Sequence, residues 1–110
     1  MSGSDIVTGT LELLVLKTLS HGPLHGYAIG KAIKRESHDV LRIGENVLYP
    51  TLHRLEARGD LVGEWGKTSS GREAKIYELT SAGRNRLRSE STTWIARSEA
   101  ALRILGGGAP

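Results

Sequence analysis

Cysteine is absent from the 110 residues, and so is phenylalanine; the aromatic complement is two tryptophans and three tyrosines. Without cysteine the chain has no disulfide, no thiolate metal ligand and no cysteine nucleophile. With so few aromatics the core has to be aliphatic, chiefly leucine, which suits short helices better than a large sheet. No apolar run approaches the roughly 18 residues of a membrane span. The start, Met1-Ser2-Gly3-Ser4-Asp5, has neither the basic segment nor the apolar stretch of a secretory leader. A cytoplasmic address is the expectation that follows. Catalytic signatures are missing as well: there is no nucleophile elbow, phosphate-binding loop or dinucleotide fingerprint. Glu12, Glu36, Glu56 and Glu78 stand alone, and His21 and His25 are separated by the helix break Gly22-Pro23 rather than stacked on one face. Neither an enzyme, a cofactor nor a metal site is expected.

What is there is a small, basic chain with a formal charge of +3 and a pI near 9.5. That balance favours a polyanionic partner only weakly, so the placement of the charge matters more than its sum. A chain of this length has room for one compact domain and one extra element, and its core is marginal alone, which favours burial against a second copy.

Three helices, a hairpin and a last helix follow from the pattern. Thr10 to Leu19 is dense in apolar residues and stops at His21-Gly22-Pro23, which predicts a mostly buried central helix over about residues 5–20. A second helix starts at His25 or Gly26 and runs to about Ser37, with Ile29 and Ile33 inward and Lys31, Lys34 and Arg35 largely outward. Asn46 is a candidate N-cap for a third helix over 47–58, with Pro50 in its first turns and Gly59 as its stop. Leu48, Leu52 and Leu55 form its apolar face. Beyond Gly59 the period changes: 61–65 and 74–79 read as two strands around a polar Gly/Ser-rich loop, a β-hairpin. Thr80 or Ser81 then caps a helix that ends near Leu105, ahead of a loose tail over 106–110.

The predicted fold is therefore mainly α with a small β-hairpin: a winged helix-turn-helix over 1–79 and a C-terminal dimerisation helix over 80–105. Such a domain works by shape. A helix with one polar face fits the major groove of double-stranded DNA, while a basic hairpin reaches flanking phosphates or the minor groove. The third helix offers Asn46, Val47, Tyr49, Pro50, Thr51, His53 and Arg54 on the side away from its leucines, and Lys67, Arg72 and Lys75 are assigned to the hairpin tip. The first turn of the second helix, around Gly26-Tyr27, presents free backbone N–H groups to a phosphate. Tyr27, Trp65 and Tyr77 read as packing residues, and Arg84, Arg86, Arg88 and Arg97 as a solvated helix face, the first three with DNA flanks as the alternative. Leu87, Trp94, Ile95, Leu102 and Leu105 make the apolar stripe expected to join two copies.

The segments Gly9 to Lys17, Gly22 to Ile29, Leu48 to Glu56, Arg58-Gly59, Trp65-Gly66, Gly71-Arg72, Lys75 to Tyr77, Leu79-Thr80 and Ala82-Gly83 resemble, in order and spacing, the PadR family of bacterial transcriptional regulators. The likeness is to its short members with a single C-terminal helix. It implies a homodimer on a pseudo-palindromic operator, usually a repressor, with the third helix as recognition helix and 61–79 as wing. The last helix would meet its twin and the partner's first helix. Trp94 matches a position where some multidrug-binding members line a pocket at the dimer interface. Two readings of it stay open: interface packing, or a wall on which a small aromatic effector stacks. Glu45-Asn46-Val47 departs from the family's usual Glu followed by small residues, so operator preference does not transfer. The rival reading from another class is a winged-helix protein-interaction module without DNA binding. It predicts apolar side chains on the outward side of the third helix, where this chain has Asn46, His53 and Arg54.

Overall fold

The computed structural model describes residues 3–106, with side-chain surroundings from residue 9 onward; of the expected tail over 106–110, residues 107–110 lie outside the described residues. The order is α1 (Gly3–Leu19), β1 (Leu24–His25), α2 (Gly26–Glu36), α3 (Glu45–Ala57), β2 (Leu61–Lys67), β3 (Glu73–Leu79) and α4 (Ser81–Leu105). Leu11, Val15, Leu16 and Leu19 of α1 are buried together with Ile29 and Ile33 of α2 and Leu48, Leu52 and Leu55 of α3. Leu61, Tyr77 and Leu79 close the cluster from the sheet side. Helix α1 is thus the central element that its near-continuous apolar run demands.

The sheet has three strands in the order β1-β3-β2, all antiparallel. Pairing in the β2–β3 hairpin extends past the expected strand ends, to Lys67 in β2 and back to Glu73 in β3. Strand β1 carries no signal in the sequence. Two residues are too few to show alternation, and Leu24 and His25 are extended because they pair with Tyr77 and Ile76 across the sheet. His25 then caps α2: its imidazole Nδ1 accepts from the Ala28 N–H at 3.4 Å.

Helix α3 starts two residues earlier than expected. Gly44 is its N-cap and makes no side-chain cap bond, so Asn46 is a second-position helical residue and not the cap. Its end is more sharply built. Gly59 takes φ +85, its N–H bonds the Glu56 carbonyl at 3.0 Å, and the Asp60 N–H bonds the Leu55 carbonyl at 2.9 Å. This left-handed closure satisfies two of the last carbonyls of the helix and turns the chain straight into β2.

Thr80 caps α4 by accepting from the Gly83 N–H at 3.0 Å, and the same hydroxyl donates to the Gly59 carbonyl at 2.7 Å. Gly83 is buried in this first turn because a β-carbon there would collide with the backbone oxygen of Asp60. The rest of α4 leaves the domain. It runs beside α1, where Trp94 Nε1 donates to Thr10 Oγ1 at 3.2 Å. Of the expected stripe, Leu87 packs on the domain's own core, while Trp94, Ile95, Leu102 and Leu105 stand 43% to 80% exposed. No described helix is long and apolar enough to cross a membrane.

Candidate nucleic-acid interface

Three leucines turn α3 inward, and that fixes what it shows outward. Asn46, Pro50, His53 and Ala57 follow one another at four-, three- and four-residue steps and are all exposed, as are Val47 and Arg54 on the flanks. They form a mixed, mainly polar ridge one helix wide. Pro50 belongs to that ridge, where its missing N–H disturbs no buried bond. Tyr49 is half-buried: its ring covers the start of α2, so close to Gly26 that a β-carbon there would lie 2.7 Å from the ring.

Thr51 is not on this ridge. It is 1% exposed, and its hydroxyl donates to the Val47 carbonyl at 2.9 Å while accepting from Arg54 Nη2 at 3.0 Å. Its polarity points outward on sequence grounds; the helix places it beside Leu52, and a hydroxyl that bonds one turn back is satisfied without water. Arg54 is outward but engaged, with Nε 3.3 Å from Glu12 Oε2 on α1. Glu12 also holds Arg58, at 3.1 Å.

The wing's tip is a tight turn. Thr68 N–H bonds the Arg72 carbonyl and Gly71 N–H bonds the Thr68 carbonyl, each at 2.9 Å, leaving Lys67 and Arg72 exposed on either side. Lys75 is not at the tip. It is the third residue of β3, and its ammonium donates to Glu56 Oε1 at 2.8 Å, tying the wing to the last turn of α3. Accepting that bond, Glu56 raises the lysine's pKa above its ordinary value. Gly63 makes the crossing feasible, since a β-carbon there would meet Lys75 Cε at 2.5 Å. Burial likewise pushes the neighbouring Tyr77 phenol up.

Other residues sort differently from expectation. Tyr77 packs as expected, but Tyr27 is 59% and Trp65 74% exposed, so neither is a packing residue. The first turn of α2 is not a free ring of N–H groups, because His25 caps Ala28 and Tyr49 covers Gly26. Arg86 is not simply solvated: its Nε lies 2.8 Å from Asp60 Oδ2, a charge contact whose N–H is off-line for a directed bond. The Asp60 carboxylate raises the pKa of Arg86 further. Sequence reasoning also passes over a cleft of about 1000 Å³ between α2 and the start of α3. Lys31, Lys34, Arg35 and Arg42 line it, and Lys31 Nζ sits 5.4 Å from the Tyr27 ring centre. The signal is the cationic outer side of α2; that the loop adds Arg42 to the same cleft depends on its path, which has no periodicity.

Residues 15–89 match the model of the transcriptional regulator PadR-like family. A transcriptional regulator of Mycobacterium tuberculosis is 35% identical over 97 residues, 88% of this chain and 84% of that protein. A PadR family regulator from Eggerthella lenta, of known structure, superposes with a TM-score of 0.75 at 33% identity, over 92% of this chain and 86% of that one. A regulator from Clostridium thermocellum reaches a TM-score of 0.80 at 23% identity, over 94% and 97%, a likeness of fold.

Proposed function

Because the chain belongs to the PadR-like family of transcriptional regulators, and so to DNA-binding regulators rather than enzymes, we propose that it acts in the cytoplasm as a homodimeric repressor on a pseudo-palindromic operator. The observation that carries this reading is the outward ridge Asn46-Pro50-His53 of α3 flanked by the exposed cations Lys67 and Arg72 of the wing. The ridge enters the major groove and reads base edges, with Val47, Tyr49 and Arg54 beside it. Lys67 and Arg72 neutralise flanking phosphates, and Lys31, Lys34 and Arg42 do so on the other side of the helix. Lys75 contributes by holding the wing against Glu56 more than by touching DNA.

Two copies join through the α4 residues Trp94, Ile95, Leu102 and Leu105, an apolar surface that the described residues of one chain leave largely exposed. A two-fold pair presents two α3 helices to half-sites about one helical turn, or a multiple, apart. Paired Trp94 side chains would flank the axis, where a flat aromatic effector stacks and relieves repression.

The experiment is selection of bound duplexes from random DNA, followed by titrations over a range of salt. Specific binding with a steep fall of affinity in salt is expected, and Lys67→Ala with Arg72→Ala flattens the log–log slope by about one unit for each phosphate no longer neutralised. An unchanged slope removes the wing from the interface. No binding to any duplex at low salt overturns the reading.

A further inference from the structure

Trp65 is the one tryptophan that the fold leaves almost bare, at 74% exposed, on the part of the hairpin that extends beyond the core. Its register is fixed. Trp65 is opposite Lys75, as Gly63 is opposite Tyr77 and Leu61 opposite Leu79, so these residues share one face of the ribbon. That face turns toward α3: Leu61, Tyr77 and Leu79 are buried under it, and Lys75 reaches Glu56. Further along the same face comes Lys67, followed by the exposed Arg72 across the turn. A large flat apolar side chain thus stands between the recognition helix and the wing's cations. An isolated indole in water does nothing for folding; Lys75 is held by Glu56 and Glu73 is opposite Lys67, so it is the exposed Lys67 and Arg72 together that keep the end of the ribbon cationic enough to meet a polyanion.

We propose that Trp65 is a DNA-contacting residue of the wing, laying its indole against the deoxyribose wall of the minor groove flanking the half-site. This rests on the reading of the chain as a DNA-binding regulator. The cations beside it hold the phosphates, and the indole face covers the apolar edge of the sugars between them, with its N–H free to donate to a groove acceptor. Its contribution is burial of apolar area, which releases no counterions. It therefore adds affinity without adding to the salt slope, the opposite signature from Lys67 or Arg72.

The test uses the full-length chain and a labelled mixed-sequence duplex at low salt, comparing wild type, Trp65→Ala and Trp65→Phe. Trp65→Ala is expected to weaken binding about tenfold, the size of effect seen when an aromatic side chain that stacks on nucleic acid is replaced by alanine. The log–log salt slope stays that of wild type, Trp65→Phe recovers part of the affinity, and the duplex quenches a part of the wild-type tryptophan emission that Trp65→Ala lacks. Since the side chain is exposed, the melting temperature of Trp65→Ala stays at the wild-type value. If wild type binds and Trp65→Ala matches it, or Trp65→Ala changes the salt slope, or its loss traces to dissociation of the dimer, the inference is wrong. A wild-type chain that binds no duplex overturns it together with the reading beneath it.

Discussion

The Asp60 carboxylate, 2% exposed, lies 2.8 Å from Arg86 Nε, so a buried acid just past α3 is neutralised by a base on α4. Arg58 approaches the same oxygen at 3.2 Å. The acid is the buried member and the two guanidinium groups remain about two-fifths exposed, so the cost of breaking the cluster is asymmetric. Removing Arg86 leaves the buried charge to Arg58 alone, whereas an arginine freed of its acid rehydrates. Arg86→Met is expected to lower stability by about 2 kcal/mol, less than for a fully buried pair because the arginine is partly screened. Asp60→Asn in that background restores part of the loss, because an amide is cheaper to bury than an unpaired carboxylate. Urea denaturation of the two single variants and the double variant reads the coupling; additive losses would mean that the pair does not interact.

Gly83→Ala runs against helix propensity. Alanine would favour α4 by up to about 1 kcal/mol in an open position, but here its methyl group meets the Asp60 carbonyl, which is backbone and cannot swing aside. The expected result is a net loss of about 2 kcal/mol in denaturant, while Gly9→Ala, where nothing stands within 4 Å, is neutral or stabilising.

Alkaline pH should unfasten the wing's base. Glu56 holds the proton on Lys75 above the ordinary lysine value of 10.5, and burial holds the Tyr77 proton above the ordinary 10.0. In both cases the folded chain keeps a proton that the unfolded chain has released. Their stabilisation is complete below about pH 10 and falls as the pH rises through the raised values. Melting temperatures measured from neutral to strongly alkaline pH should be flat and then fall, with a shallower fall in Lys75→Met.

Leu102→Asp places a charge on the outer side of α4, at a residue 46% exposed in the single chain. The domain's own core is untouched, so the helical circular dichroism of the head should survive. Light scattering is expected to show the monomer mass, with duplex binding weakened because two half-sites are no longer engaged together. A variant that keeps the dimer mass would move the interface off α4.

The order of elements is legible because each is set by a local rule: apolar spacing for the helices, Gly and Pro for their ends, a change of period for the hairpin. What escapes depends on tertiary placement. Thr51 is polar by type, yet it falls next to Leu52 on the inward side and finds its acceptor in Val47 of its own helix. Asp60 and Arg86 are far apart in sequence, and nothing in the spacing of either announces the other. Strand β1 exists only because β3 is there to receive it. Trp65 has the composition of a core residue, and only the length of the ribbon beyond the domain leaves it bare.

Between Ala57, where α3 ends, and Leu61, where the ribbon begins, only three residues intervene, and hydrogen bonds pin them on both sides. The helix and the ribbon therefore keep a constant gauge and would meet a double helix as one stiff fork. If two copies pair as proposed, any adjustment to the distance between half-sites would have to come from how the paired stems splay, and an effector between those stems would need to deform neither fork.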